Sequence, residues 1–129
     1  MSRPPVLVVD DMMSMRRVIV HVLKSIGFTE IYEAEHGFAA LSVLRTKQIG
    51  FVVSDWNMPE MDGLTLLKTI RSIDAIKSLP VLMLTAEGKK ENIIEAVKAG
   101  ASNYIVKPFT PDTLAKKVEH IFGPLLNAA

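Results

Sequence analysis

The chain has 129 residues, 49% of them hydrophobic, enough for one domain that buries about two-thirds of its unfolded surface without help from a metal or a disulfide. It has 0 cysteines, which excludes disulfide frameworks, thiol nucleophiles and Cys-ligated zinc. Its 15 Lys and Arg against 14 Asp and Glu leave a net charge of +1, with the basic residues scattered, so no nucleic-acid partner is expected.

Arg3, Pro4 and Pro5 run into Val6-Leu7-Val8-Val9, an apolar stretch far too short for a signal-peptide core or a membrane span. A soluble, cytoplasmic protein with no membrane partner is therefore expected. This first run predicts a strand ending at Asp10 and Asp11. Met15, Val18, Ile19, Val22, Leu23 and Ile26 follow at helical spacing, with Arg16, Arg17, His21 and Lys24 largely elsewhere on the wheel, and Gly27 closes the pattern. Ile31-Tyr32 is a second short run, and Phe51-Val52-Val53 a third, leading to Ser54 and Asp55. Val81-Leu82-Met83-Leu84 predicts a fourth strand ending at Thr85. A helix then runs through Ala96-Val97-Lys98-Ala99 to Gly100. Tyr104-Ile105-Val106 is the fifth run and Lys107 follows it. Thr110-Pro111-Asp112, an N-cap followed by proline in the first turn, opens a last helix with Leu114, Val118, Ile121, Phe122 and Leu125 on one stripe.

Continuous apolar runs suit strands covered on both faces, and fivefold strand–helix alternation predicts an α/β domain, a doubly wound five-stranded parallel sheet. No repeat or linker interrupts the chain, so residues 1–129 read as one domain.

In such sheets ligands sit beyond the carboxyl ends of the strands. The residues standing there are Asp10, Asp11, Asp55, Thr85 and Lys107. Taken singly, an Asp after a strand is a frequent N-cap, a strand-end Thr reflects β propensity and a Lys before Pro is a solvated turn residue. Together, at the ends of separate runs, they read as one site. Clustered carboxylates call for a hard cation bound through oxygen, and Mg²⁺ favours few carboxylates, several waters and a phosphate. Aspartate can act as a covalent nucleophile toward phosphorus; Lys107 would then pair with one phosphoryl oxygen and Thr85 hydrogen-bond another. Rival phosphate sites fare worse. The first turn has neither the Gly-rich dinucleotide pattern nor a P-loop, Asp10 and Asp11 would repel a flavin phosphate, and an aspartate phosphatase would carry D-x-D where these aspartates are adjacent.

Val8-Val9-Asp10-Asp11, Ser54-Asp55-Trp56-Asn57-Met58-Pro59-Glu60-Met61-Asp62-Gly63, Leu84-Thr85-Ala86 and Gly100-Ala101-Ser102-Asn103-Tyr104-Ile105-Val106-Lys107-Pro108-Phe109 together resemble the response-regulator receiver domain, over essentially Val6 to Phe122. Within that family the chain is similar to the single-domain chemotaxis regulators, notably in Asp55-Trp56-Asn57-Met58-Pro59 and Lys89-Lys90-Glu91-Asn92-Ile93-Ile94. The resemblance implies a flavodoxin-like (βα)5 fold of strand order 2-1-3-4-5, which periodicity alone does not supply. It implies Asp55 as phosphoacceptor and as a Mg²⁺ ligand, Asp11 as a direct ligand, Asp10 as a ligand directly or through water, and the backbone carbonyl of Asn57 as another. It also implies phosphoryl contacts from Thr85 and Lys107 and a cis Lys107-Pro108 bond. Asn57 and Glu87 fall at positions that in this family tune loss of the phosphoryl group, and their polar character implies a short-lived signal.

Only 7 residues follow Phe122, so no effector domain is expected and the output should leave through the receiver's own surface. The family implies that Thr85 moves toward the phosphoryl group and Tyr104 turns inward, remodelling a face with Lys90, Ile93, Tyr104, Val106 and Lys117 as its candidates. The implied partners are a histidine kinase of the CheA-like type, the flagellar motor switch protein FliM and a phosphatase, the protein itself being a monomeric switch and not an enzyme with turnover. The rival output is a phosphorelay carrier or phosphate sink. Gly88 departs locally from the chemotaxis pattern, and the extra flexibility expected of glycine would loosen the loop feeding the fourth helix and bear on motor binding. His21, His36 and His120 share no ligand spacing, and Met12 is placed to border the acidic pair.

Overall fold

The computed structural model describes residues 3–86 and 90–123, with Lys90 described by its backbone. The elements are β1 (Val6–Val9), α1 (Met13–Ser25), β2 (Ile31–Ala34), α2 (Gly37–Thr46), β3 (Phe51–Asp55), α3 (Gly63–Ser72), β4 (Val81–Thr85), α4 (Lys90–Lys98), β5 (Asn103–Val106) and α5 (Pro111–Phe122). The strands form one parallel sheet in the order β2-β1-β3-β4-β5. Expected class and strand order are both found. No helix among the described residues is long and apolar enough to cross a membrane.

Why the apolar runs do not alternate is visible in the two core layers. Val6, Val8, Phe51, Val53, Leu82 and Leu84 point to one face, against Ile19, Val22 and Leu23 of α1 and Leu114 and Val118 of α5. Leu7, Val9, Val52, Val81 and Met83 point to the other, against Ala40, Leu41 and Leu44 of α2 and Leu66, Leu67 and Ile70 of α3. Each fully covered Val, Leu or Phe contributes about 1.5–3 kcal/mol, and successive residues of a central strand do so on opposite faces.

Strand ends differ slightly from the apolar runs. Asp55 and Thr85 lie inside β3 and β4, because the ladder continues past the hydrophobic residues: the Trp56 N–H donates to the Leu84 carbonyl (2.8 Å) and the Lys107 N–H to the Thr85 carbonyl (2.7 Å). At the sheet edge, β2 extends through Glu33 and Ala34 with Glu33 exposed.

Helix starts crowd the carboxyl edge of the sheet. The His36 Nδ1 accepts from the Ala39 N–H (3.1 Å), the Asp62 Oδ1 from the Thr65 N–H (2.8 Å) and the Thr110 Oγ1 from the Thr113 N–H (3.1 Å), capping α2, α3 and α5. Met12 gives α1 no side-chain cap. At the start of α3, Gly63 is pressed onto the end of β3: its N–H donates to the Trp56 carbonyl (2.8 Å), and a Cβ there would run into the Asp55 carbonyl and come within 2.9 Å of the Trp56 Cα. Both obstacles are backbone and neither can swing aside. Gly63→Ala is therefore expected to destabilise the fold by about 1–3 kcal/mol, read as a lower urea midpoint at unchanged m-value.

Candidate functional site

The chain leaves β1 toward β2 and returns on the other side as β3, so the loops after β1 and β3 diverge and open a crevice at the carboxyl edge. Val9 pairs with Ser54, which sets Asp10 beside Asp55. Asp10 is 0% exposed, Asp55 4% and Thr85 1%, whereas Asp11 reaches solvent. One carboxylate oxygen from each of Asp10, Asp11 and Asp55 lies within 4.8 Å of the others. Lys107 crosses from the end of β5 and places its Nζ 2.9 Å from the Asp55 Oδ1 and 3.3 Å from the Asp10 Oδ2.

The turn carrying the first two carboxylates is held on several sides. The Asp10 N–H donates to the Ala34 carbonyl (3.1 Å), and the Asp10 Oδ1 accepts from the Met12 N–H (2.9 Å). Arg16, one turn into α1, donates from Nη1 to the Asp10 carbonyl (2.6 Å) and from Nε to the Glu33 Oε1 (2.9 Å).

Burial pushes the Asp55 carboxyl above the usual carboxylate range; the Lys107 hydrogen bond pulls it back, and the Asp10 charge adds to the rise. Burial works against the Lys107 ammonium, but Asp55 and Asp10 outweigh it and hold that group above the ordinary lysine range. Three carboxylates against one ammonium leave a surplus of negative charge, and an all-oxygen donor set of this kind suits a hard divalent cation.

The remaining residues singled out in the sequence distribute as follows. Asn57 is exposed in the loop after Asp55, and Trp56 between them is half-buried. Tyr104 is half-buried, packed on the layer of α2 and α3, with the Lys117 Nζ 5.0 Å from its ring centroid. Lys117 also reaches the Asn103 Oδ1 at 3.4 Å. Val106 is half-buried and borders, with Tyr104, Phe109, Thr113 and Lys117, an open groove of about 350 Å³. Ile93 is half-buried and Ile94 41% exposed, so Ile93 is the more covered of the two. The Lys107-Pro108 bond is cis. Glu87, Gly88 and the Lys90 side chain lie outside the described residues. Met12 stands exposed beside the acidic pair. His21 and His120 are exposed, and His36 is half-buried.

Two participants at the edge of the site went unseen in the sequence. Arg16 looked like one more solvated residue of an amphipathic helix, yet its side chain is only 12% exposed. His36 caps α2 and sets its Nε2 3.7 Å from the Glu60 Oε2, on the loop that follows Asp55. The available hint was a helix N-terminus after Glu35 without Ser, Thr, Asp or Asn in the capping position.

Residues 6–119 match the profile of the response regulator receiver domain. The chain is 51% identical over 120 residues to the chemotaxis protein CheY-3 of Vibrio cholerae, covering 93% of this chain and 92% of that protein. It is 49% identical over 117 residues to the chemotaxis protein CheY of Pseudomonas aeruginosa, covering 91% and 94%. Among solved structures, the chemotaxis response regulator CheY4 of Vibrio cholerae superposes with a TM-score of 0.86 at 36% identity, covering 93% of this chain and 99% of that one. The Francisella response regulator 1452 receiver domain does so at 0.83 and 34%, covering 93% and 97%. The acidic crevice, the doubly wound sheet and these likenesses agree: this chain belongs to the response-regulator receiver family of two-component signalling, as a CheY-like chemotaxis regulator.

Proposed function

We propose that this receiver takes a phosphoryl group from the phosphohistidine of a CheA-like histidine kinase onto Asp55 and, so modified, binds the motor switch protein FliM. The observation that carries the chemistry is the meeting of three carboxylates within 4.8 Å with a lysine 2.9 Å from Asp55. A carboxylate oxygen of Asp55 attacks phosphorus in line, a P–O bond forms, the P–N bond to the kinase histidine breaks, and the imidazole leaves with the electron pair. Asp10, Asp11, Asp55 and the Asn57 carbonyl would hold Mg²⁺, which draws phosphoryl oxygens toward carboxylates that otherwise repel them. Lys107 neutralises one phosphoryl oxygen and the Thr85 hydroxyl hydrogen-bonds another. Asn57 and Glu87 tune how fast the group is lost to water or to a phosphatase.

Output is assigned to the receiver's own face, formed by α4, β5 and α5. Moving Thr85 toward the phosphoryl group frees space for Tyr104 to turn inward, a population shift biased by the new contacts. Lys90, Ile93, Tyr104, Val106 and Lys117 then meet FliM.

Trp56 is the only tryptophan and follows Asp55 directly, so it reports on the site. Its fluorescence is expected to change on adding Mg²⁺ and again on adding beryllofluoride, a phosphoryl mimic. An N-terminal FliM peptide is expected to bind the beryllofluoride form at least about tenfold more tightly, about 1.4 kcal/mol. Equal affinity in both states would reject motor output in favour of a phosphate sink. Silence toward Mg²⁺ would reject the site itself.

A further inference from the structure

We infer that Arg16 is a positioning residue for the metal ligands: its guanidinium fixes the Asp10–Asp11 peptide and thereby the place from which the Asp11 carboxylate reaches the cation. The inference rests on the proposal that this crevice binds Mg²⁺. Its starting point is a gap in the sheet. The Asp10 N–H donates to the Ala34 carbonyl of β2, so the Asp10 carbonyl projects toward β2 as well. In a continued parallel ladder the next partner would be the N–H of His36, but β2 stops at Ala34 and His36 turns away to cap α2. The Arg16 Nη1 takes that place, donating to the Asp10 carbonyl at 2.6 Å, a short, charge-assisted bond.

The guanidinium is itself held. Its Nε donates to the Glu33 Oε1 at 2.9 Å, and the Arg16 N–H donates to the Met12 carbonyl (3.0 Å) as part of the first turn of α1. One planar fork thus ties α1, the acidic turn and β2 together with the side chain only 12% exposed. Asp10 has other restraints, being buried, bonded to Met12 and paired with Lys107. Asp11 is exposed, and its approach to the site is set by the peptide that Arg16 grips.

Charge and geometry predict opposite results here. A cation near the crevice repels Mg²⁺, so if Arg16 acted only through charge, Arg16→Ala would tighten Mg²⁺ binding and Arg16→Lys would leave it unchanged. As a positioning group it acts the other way, and lysine cannot reproduce a fork that spans a carbonyl and a carboxylate. Losing a partner that orients metal ligands lowers affinity by about 10–100-fold.

The test is a Trp56 fluorescence titration with MgCl2 at constant ionic strength on the parent protein, Arg16→Ala and Arg16→Lys. Urea midpoints and amide exchange are measured on each in EDTA. Both variants are expected to bind Mg²⁺ about tenfold or more weakly while still folded at the titration temperature, and the Met12 amide to exchange faster in the metal-free state. Arg16→Ala binding Mg²⁺ as tightly as the parent or more so, or Arg16→Lys matching it, overturns the positioning role while leaving the site intact. A parent protein that does not titrate with Mg²⁺ overturns the site proposal and this one with it.

Discussion

Asp55→Asn is expected to take up no phosphoryl group from acetyl phosphate in Mg²⁺, a fall of at least about a thousandfold, since the amide that replaces the carboxylate is no nucleophile. The same variant should be the more stable protein at neutral pH in EDTA. Burial raises the Asp55 carboxyl, so its proton-bound form favours folding. That contribution is complete below the unfolded value of about 3.9 and is lost as pH rises through the higher folded value. Asparagine never makes the transition. Thermal unfolding followed from pH 3 to pH 7 should therefore show parent and variant converging in acid and separating toward neutrality. Retained phosphoryl uptake would dismiss Asp55 as the acceptor; a separation independent of pH would dismiss burial as the source of its shift.

Lys107→Ala should have the opposite effect on stability. It leaves Asp10 and Asp55, both almost wholly buried, facing one another without the ammonium that lies 3.3 Å and 2.9 Å from them. Stranding buried charge by deleting its partner costs about 3–5 kcal/mol. The loss should be largest at neutral pH in EDTA, read from the urea midpoint, and smaller when Mg²⁺ replaces the missing cation. Lys107 is held above the ordinary lysine range. Its contribution therefore stands in full below the unfolded value of about 10.4 and disappears only as pH rises through the higher folded value. A loss under about 1 kcal/mol in EDTA would mean that solvent already screens the pair. With Lys107 absent, beryllofluoride should also lose its ability to raise affinity for the FliM peptide.

The fold was legible where both faces of a strand are covered. β1, β3 and β4 announced themselves as unbroken apolar runs because helices lie on both sides of them. β2 left only Ile31-Tyr32 as a trace, since an edge strand can carry an exposed Glu33. Asp55 and Thr85 looked like residues after strands because hydropathy cannot see a backbone ladder running on into polar positions. The convergence of Asp10, Asp11, Asp55 and Lys107 was legible from strand ends, as parallel strands share an edge. Arg16 was not: its decisive contact is with a backbone carbonyl, which any residue supplies, and so no pairing of residue types marks it. His36 was hidden for a related reason: its cap is made through one lone pair of an imidazole, a residue type outside the usual Ser, Thr, Asp and Asn caps.

The complete enclosure of β1 divides the molecule into a pedestal and a rim. Val6, Leu7, Val8 and Val9 are each 0% exposed and belong alternately to both cores, so the strand that delivers Asp10 cannot loosen without opening the whole protein. Asn57, exposed in the loop above it, is under no such restraint. A change at the rim should therefore leave the pedestal, and with it the foldedness of the population, untouched, so that under the proposed function such a change would alter the timing of the signal alone.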